Sequence, residues 1–209
     1  MYHKPLYNKQ IIRLTFWQSP HGDYDHIGNA TYLVNNFKIK NVYFNYDDYD
    51  ELEESLKLKL EQKKINYYKG LKSLKTLYYT FNFLNSSLYN NENDNSLVTY
   101  FKYLDYTFLY MGDASSARET DIIKKYNLEK ITILKVGHHG SKTSSSKEFI
   151  NEINPKYSII SVGKNNRYGH PNKEAVNNLN NSKIYRTDED GSIMFKIKNN
   201  KLKIETYSP

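Results

Sequence analysis

The chain has 209 residues, a length typical of one domain that can bury a self-sufficient hydrophobic core. It contains no cysteine, which excludes a thiolate nucleophile, a cysteine-ligated zinc site and an iron–sulfur cluster. Metal ligands would therefore be His, Asp and Glu. The 30 Lys and Arg outnumber the 23 Asp and Glu, and the resulting net charge of +7 favours a polyanionic partner such as nucleic acid or an anionic membrane. Apolar runs are far shorter than the roughly 18 residues of a membrane-spanning helix, so we expect no membrane segment.

Short β-branched apolar runs alternate with segments of helical periodicity, which is typical of an α/β or layered α+β domain. In chain order the pattern predicts strand 11–17, helix 29–37, strand 41–45, helix 49–64, strands 77–83, 96–103 and 106–111, helix 115–126, strand 131–136, helix 145–153, strand 157–162, helix 172–180 and strands 183–186, 192–197 and 202–205. Alternation around Asp190 and Gly191 predicts a β-hairpin that turns at this pair. No repeat or linker divides the chain, so we predict a single domain over residues 1–209.

The first segment rich in potential ligands is HGDYDHIG at residues 21–28, which follows the first predicted strand. His21, Asp23, Asp25 and His26 fall within six residues, and the glycines allow the backbone a tight path. In an extended loop His21 and Asp23 point to one side, while the chain can turn Asp25 and His26 toward a second position. That arrangement suits two ions. The alternative is a polar turn that caps the next helix.

Two further segments follow strands 106–111 and 131–136. Asp113 presents a carboxylate at the carboxyl edge of a sheet, where open α/β sheets bind ligands, although a Gly-Asp pair also caps helices. In GHHGSKTS at residues 137–144, His138 and His139 offer a metal ligand beside a second imidazole for acid–base chemistry or hydrogen bonding. The polar residues that follow, with Ser141 and Lys142 as candidate substrate contacts, suit a phosphate. An N-cap for helix 145–153 is a compatible alternative.

A fourth segment, NNRYGHP at residues 165–171, follows strand 157–162. Arg167 is a candidate contact to an anionic substrate, and His170 is a second candidate for acid–base chemistry. The alternative is a loop stiffened by Pro171 at the start of a helix.

Taken together, these segments resemble the metallo-β-lactamase-like domain of the ComEC family of DNA-internalisation competence proteins. The matching blocks are HGDYDHIG at 21–28, NDNSLV at 93–98, GD at 112–113, LKVGHHGSKTSSS at 134–146, IISVGKNNRYGHP at 159–171 and RTDEDGSI at 186–193. The resemblance implies an αββα sandwich of two sheets with a dinuclear metal site at one edge. It also implies metal-dependent hydrolysis, with DNA strand degradation during uptake as the role.

The resemblance implies that His21 and Asp23 form the first metal position, that Asp25 and His26 form the second, that Asp113 bridges both ions, and that one of His138 and His139, with His139 favoured, is the last imidazole ligand. The superfamily has His where this chain has Asp23, and a further His where this chain offers Asn93, Asp94 and Asn95. Exchanging imidazole for oxygen ligands favours harder ions, so we expect two divalent ions, with Mn²⁺ favoured and Zn²⁺ possible.

The implied mechanism uses a metal-activated hydroxide that attacks phosphorus, with Asp25 as both ligand and orienting group. Either His138 or His170 would protonate or hold the leaving oxygen. Two alternatives remain open, a hydrolase of small esters, lactones or thioesters and a non-catalytic DNA-binding remnant. Domains of this type have further strands before the HGDYDH block. We therefore expect an incomplete first sheet, either in a fragment of a membrane protein with an extracytoplasmic domain or in a shortened stand-alone relative.

Overall fold

The computed structural model describes residues 16–18, 24–45, 50–84 and 88–208, with backbone only for 16–18 and Asp25. The chain forms two compact units, Met1–Gly70 and Leu71–Pro209, and each is described by itself. The single domain expected from the sequence stays a prediction. Within the described ranges, no helix combines the length and apolar character needed to cross a membrane.

The first unit contains a parallel three-stranded sheet. Its strands are β1 (Phe16–Gln18), β2 (Asn41–Tyr43) and β3 (Asn66–Tyr68), in the order β1-β2-β3, and its helices are α1 (Tyr24–Ile27), α2 (Ala30–Asn36) and α3 (Glu51–Gln62). The core lies where the helices cover β2, with Val34, Val42, Leu56 and Leu60 at most 2% exposed. Most of predicted strand 11–17 lies outside the described residues.

Helix α3 shows how local sequence positions an element. Asp50 caps it, because a side-chain oxygen accepts a 2.7 Å hydrogen bond from the Glu53 backbone N–H. Leu56 and Leu60 are four residues apart and lie on one buried face. The sequence predicted this helix at residues 49–64, close to the observed bounds.

The second unit is built on a seven-stranded mixed sheet with the order β10-β9-β8-β7-β6-β5-β4. Its strands are β4 (Ser73–Lys75), β5 (Thr80–Phe83), β6 (Thr99–Tyr103), β7 (Tyr106–Tyr110), β8 (Ile133–Lys135), β9 (Tyr157–Ile160) and β10 (Lys183–Arg186). The pairs β4–β5, β5–β6 and β6–β7 are antiparallel, whereas the pairs β7–β8, β8–β9 and β9–β10 are parallel.

Helical crossovers connect the parallel strands, as parallel pairing requires. They are α4 (Ser116–Lys125) between β7 and β8, α5 (Lys147–Ile153) between β8 and β9, and α6 (Lys173–Asn178) between β9 and β10. One core joins the sheet to these helices and includes Leu109, Leu134, Ile122, Phe149 and Leu179. The second unit thereby confirms the predicted α/β class and holds four consecutive parallel strands in register.

The C-terminal hairpin corrects one prediction. It consists of β11 (Ser192–Lys198) and β12 (Lys201–Tyr207), and it turns at Asn199 and Asn200, whose φ values of +50° and +53° are those of a type I′ turn. The predicted turn at Asp190 and Gly191 is wrong.

The hairpin does not turn at Asp190 and Gly191 because β10 pairs with a different strand and because residues 186–190 form a local turn. Strand β10 pairs in parallel with β9, so it has no hairpin partner after Asp190. The Asp190 carboxylate instead accepts a 2.8 Å hydrogen bond from the Arg186 backbone N–H, which closes the short helix α7 (Thr187–Asp190). The sequence also missed α1, β3, β4 and α7, all of four residues or fewer.

Candidate metal centre

Three neighbouring parallel strands end at the same edge of the seven-stranded sheet. Asp113 follows β7, His138 and His139 follow β8, and His170 lies in the loop between β9 and α6. Side chains that follow adjacent parallel strands converge at the carboxyl edge of a sheet. The structure thus brings together the candidates from three of the four sequence segments.

Asp113 is held in place by its own loop. Gly112 adopts φ +58°, which reverses the chain just after β7, and the Asp113 backbone N–H donates a 2.9 Å hydrogen bond to the buried Ser96 hydroxyl. The Asp113 side chain is almost fully buried. Burying a carboxylate costs free energy unless other groups compensate its charge. The buried Asp113 at the end of a strand is therefore a candidate metal ligand.

Residues 93–95, the segment where the sequence analysis found no further His, hold this loop through hydrogen bonds. Asp94 accepts a 2.7 Å hydrogen bond from the Ser115 backbone N–H through Oδ1, and its Oδ2 accepts a 2.9 Å bond from the Asn91 amide. Asn95 is bonded to both backbone groups of Tyr89, at 2.8 and 2.9 Å. The described contacts therefore give Asp94 a structural part in fixing the loop that carries Asp113.

His138 and His139 both adopt the left-handed conformation, with φ +46° and +53°. Such a conformation costs a residue other than glycine about 1–2 kcal/mol, so it persists only where other contacts compensate. The His138 N–H donates to the Gly112 carbonyl at 3.0 Å, and the His138 carbonyl accepts from the Ser141 N–H at 2.8 Å. These bonds fix the backbone of the His138–His139 pair beside the Asp113 loop.

Glu119 holds the far end of the His138–His139 loop through hydrogen bonds. The sequence pattern did not identify this role. Glu119 is 1% exposed in α4 and accepts backbone hydrogen bonds from Ser145 at 2.5 Å and Ser146 at 2.8 Å. Burial raises the pKa of Glu119, against the opposing effect of these hydrogen bonds. Because α4 begins just after Asp113, Glu119 ties the His138–His139 loop to the element that positions the carboxylate.

A hydrogen bond decides the tautomer of His139. Its Nδ1 lies 2.6 Å from the Ser161 carbonyl oxygen. A carbonyl only accepts, so Nδ1 carries the proton and Nε2 of the neutral ring carries the lone pair that a metal ligand needs. An imidazole whose second nitrogen is bonded to a carbonyl is typical of metal-binding histidines.

The donors of this cluster fit a divalent ion. Nε2 of His138 and Nε2 of His139 each lie 3.9 Å from Oδ2 of Asp113. This separation is too long for a hydrogen bond. Two donors that bind one ion at about 2.1 Å can be as much as about 4.2 Å apart, so the spacing is within the range of a shared ion. A buried carboxylate and a correctly oriented imidazole nitrogen are suitable ligands.

His170 extends the cluster away from Asp113. Its ring lies 5.8 Å from the His138 ring at an interplanar angle of 67°, and its backbone is clamped by Asn166, which accepts from the His170 N–H at 2.9 Å and donates to its carbonyl at 2.7 Å. Burial, followed by repulsion from His138 and His139, lowers the pKa of His170. The sequence identified His170 but missed Asn166, whose role depends on a loop contact.

The candidate substrate contacts lie in different surroundings. Ser141 is buried, and its hydroxyl is bonded to the Thr143 hydroxyl at 3.1 Å. Lys142 is exposed and lines a polar cavity of about 300 Å³ with Lys147 and neighbouring serines. Arg167 is exposed and donates a 2.6 Å hydrogen bond to the Tyr168 hydroxyl.

The remaining ligand candidates belong to the first segment. His21 and Asp23 lie outside the described residues, and only the backbone of Asp25 is described, in α1. His26 lies at the end of α1 in the first unit. Their participation in a metal site stays a prediction from the sequence.

Comparisons with known proteins agree with these observations. The sequence profile described as the Metallo-beta-lactamase superfamily matches residues 21–164. ComE operon protein 3 of Bacillus subtilis (strain 168) is 31% identical over 196 residues, which cover 90% of this chain and 25% of the relative. Competence protein ComA of Neisseria gonorrhoeae is 33% identical over 120 residues, 55% of this chain and 17% of the relative. The chain therefore spans a quarter or less of the length of these relatives.

The fold has a counterpart among solved structures. A CmlA beta-hydroxylase mutant superposes with a TM-score of 0.56 at 10% identity, over 83% of this chain and 43% of that one. At this identity the likeness concerns the fold alone. The matched profile covers most of the chain, and the predicted resemblance to ComEC-family competence proteins is confirmed. The chain belongs to the metallo-beta-lactamase superfamily and has the fold of its metal-dependent hydrolases.

Proposed function

We propose that this chain is a nuclease that hydrolyses phosphodiester bonds of DNA during DNA uptake. The observation that carries the proposal is the cluster in which two imidazole Nε2 atoms, from His138 and His139, lie 3.9 Å from the buried Asp113 carboxylate. The relatives named as competence proteins support the link to DNA uptake.

The ligand set that we propose is the one drawn from the sequence, namely His21, Asp23, Asp25, His26, Asp113 and His139. Half of these ligands are carboxylates, and a set rich in oxygen favours ions harder than Zn²⁺. We therefore propose two divalent ions, with Mn²⁺ as the preferred metal and Zn²⁺ as the second choice. Bound ions would lower the pKa of water and offset the negative charge that develops on a phosphoryl group.

The chain's own residues have separate tasks in this proposal. Asp113 and His139 hold metal, and the Ser161 carbonyl keeps His139 in the tautomer that can do so. Asp25 orients the attacking oxygen. The rings of His138 and His170 contact each other beside the carboxylate, so either can donate a hydrogen bond or a proton to the leaving oxygen.

Charge and exposed polar groups support a nucleic acid substrate. The net charge is +7, and the segments next to the cluster contribute Lys142, Lys147 and Arg167. Ser141, Lys142 and Arg167 remain the proposed substrate contacts. A protein that neutralises several phosphates loses affinity steeply as salt rises, whereas a hydrolase of a small uncharged ester does not.

Cleavage of end-labelled single-stranded and double-stranded DNA by the full chain tests the proposal. The reactions contain Mn²⁺, Zn²⁺ or Mg²⁺, each with and without EDTA, at several salt concentrations. We expect cleavage that is strongest with Mn²⁺, is abolished by EDTA and decreases with salt.

Two other results would contradict the proposal in different ways. Hydrolysis of a small carboxylic ester or lactone without DNA cleavage would identify a small-molecule hydrolase. DNA binding that persists in EDTA, without cleavage under any metal condition, would identify a non-catalytic binding domain.

A further inference from the structure

An exposed tyrosine lies at the rim of the candidate metal centre. Tyr168 belongs to the loop between β9 and α6, two residues before His170, and its side chain is 65% exposed. Several other aromatic side chains of the chain are equally exposed, and Tyr168 differs from them in its place beside a cluster of potential ligands, where a bound substrate can reach its ring.

Tyr168 is connected to the cluster through ring contacts. Its ring stacks on His170 with a centroid separation of 5.9 Å and an interplanar angle of 20°, and His170 contacts His138 at 5.8 Å. His138 in turn approaches the Asp113 carboxylate. The exposed ring is therefore two ring contacts from the groups that would hold the scissile phosphate.

A guanidinium accompanies the ring. The Cζ atom of Arg167 lies 4.8 Å from the Tyr168 ring centroid, and Nη2 donates to the Tyr168 hydroxyl at 2.6 Å. Aromatic rings combined with cationic side chains bind single strands of nucleic acid, because every base has a face for stacking and every linkage has a negative charge. Arg167 is exposed, so its donors can also turn toward a phosphate.

Hydrogen bonds hold the loop on both sides of this pair. Asn166 is bonded to both backbone groups of His170 and donates a further 3.1 Å bond to the Gly163 carbonyl. The loop is also joined to the His138–His139 loop, because the Asn172 N–H donates to the Gly140 carbonyl at 2.8 Å. Tyr168 is thus held at a defined distance from the imidazoles.

We propose that Arg167 turns from the Tyr168 ring to a phosphate of the substrate strand, and that Tyr168 then stacks on an unpaired nucleobase next to the phosphodiester held at the metal centre. This inference rests on the proposed nuclease function and names its substrate class as a strand with unpaired bases. A base inside a duplex has both faces covered by its neighbours, so the tyrosine selects single strands and frayed ends. The test compares Tyr168→Leu and Tyr168→Trp with the wild type.

Tyr78→Leu is the matched control. Tyr78 is 76% exposed in the turn between β4 and β5, at the opposite edge of the sheet from β9. Binding is measured by fluorescence anisotropy with a labelled single-stranded oligonucleotide. Loss of one base stack weakens binding at least about fivefold, so we expect that loss in Tyr168→Leu, and affinity near the wild type in Tyr168→Trp and Tyr78→Leu.

A scan with abasic sites separates stacking from a role in supporting His170. The wild type should lose affinity when the abasic site is at one defined position beside the cleaved linkage, and Tyr168→Leu should show no such position. Equal binding by wild type and Tyr168→Leu, or the same abasic profile in both, would overturn the inference. Absence of metal-dependent cleavage by the wild type would instead overturn the proposed function, which the binding data do not address.

Discussion

Gly140 follows His139 in the His138–His139 loop, at the point where this loop contacts the loop between β9 and α6. Replacing Gly140 with alanine should affect both stability and activity. Its φ is +77°, and an added Cβ would lie 2.7 Å from Cβ of Pro171, which directly follows His170. The left-handed conformation costs alanine about 1–2 kcal/mol more than glycine. Forcing the neighbouring loop to move adds an overpacking cost of about 1–3 kcal/mol.

Gly140→Ala should therefore lower the free energy of unfolding by about 2–5 kcal/mol. Gly169→Ala is the control in the same unit, because Gly169 has φ +67° and nothing lies within 4 Å of an added Cβ. It should cost only the conformational part, about 1–2 kcal/mol. Urea denaturation of both variants, extrapolated linearly to water, measures the two values.

Activity supplies the second readout for Gly140→Ala. A shift of the His138–His139 loop against His170 by a fraction of an ångström should reduce DNA cleavage about tenfold or more under conditions where the variant is folded. A Gly140→Ala variant that is no less stable than Gly169→Ala, or that cleaves DNA at the wild-type rate, would contradict the close contact between Gly140 and Pro171.

Three further predictions concern the residues around the site and the hairpin. Glu119→Ala leaves the buried Ser145 N–H and the partly buried Ser146 N–H without their acceptor and should lower the free energy of unfolding by about 2–4 kcal/mol in urea denaturation. Glu148→Ala, on exposed helix surface, is the control and should change it by close to zero. Asp94→Ala should cost about 1–3 kcal/mol in the same assay by leaving the Ser115 N–H unbonded, and a loss of less than about 0.5 kcal/mol would refute this. Hydrogen bonds from Lys196, Lys203 and Tyr207 lower the pKa of Glu205 from 4.5 to about 2, so its stabilising effect is present above pH 4.5 and is lost as pH falls through about 2. The difference in melting temperature between wild type and Glu205→Gln should shrink over that interval, and a constant difference would contradict the assignment.

The parts of the fold that follow local rules were predictable from the sequence. Strand β10 was predicted with its observed bounds. Helices α3 and α4 were predicted to within two residues, because each helix has an N-cap residue and a periodic apolar face. Short elements such as β3 and β4 were missed because three residues carry too little periodicity. The hairpin turn was misplaced because Asp190-Gly191 and Asn199-Asn200 are both favourable turn pairs, and strand pairing decides between them.

The site shows the same division between local and tertiary information. Asp113, His138, His139 and His170 were recognisable because their chemistry and their positions after strands are visible in sequence. Supporting groups were not visible. Glu119 resembles an ordinary acidic residue in a first helical turn, and only tertiary packing brings it to the backbone of Ser145 and Ser146.

Asp94 is the most instructive case, because it belongs to the segment where the superfamily has a further His. The structure shows its carboxylate bonded to the Ser115 N–H and the Asn91 amide, so its present task is to hold the loop of Asp113. Such a role depends on which donors lie nearby in space, and residue type alone does not encode it.

In the proposed nuclease, hydrolysis depends on the carboxylate at the carboxyl end of β7. The most direct measurement is the DNA cleavage rate, with Mn²⁺ present, of Asp113→Asn against Asp105→Asn, which changes an aspartate just before the amino end of the same strand. We expect Asp113→Asn to lose cleavage by at least about a hundredfold while remaining folded, and Asp105→Asn to cleave as the wild type does. Wild-type cleavage by a folded Asp113→Asn variant would contradict this dependence.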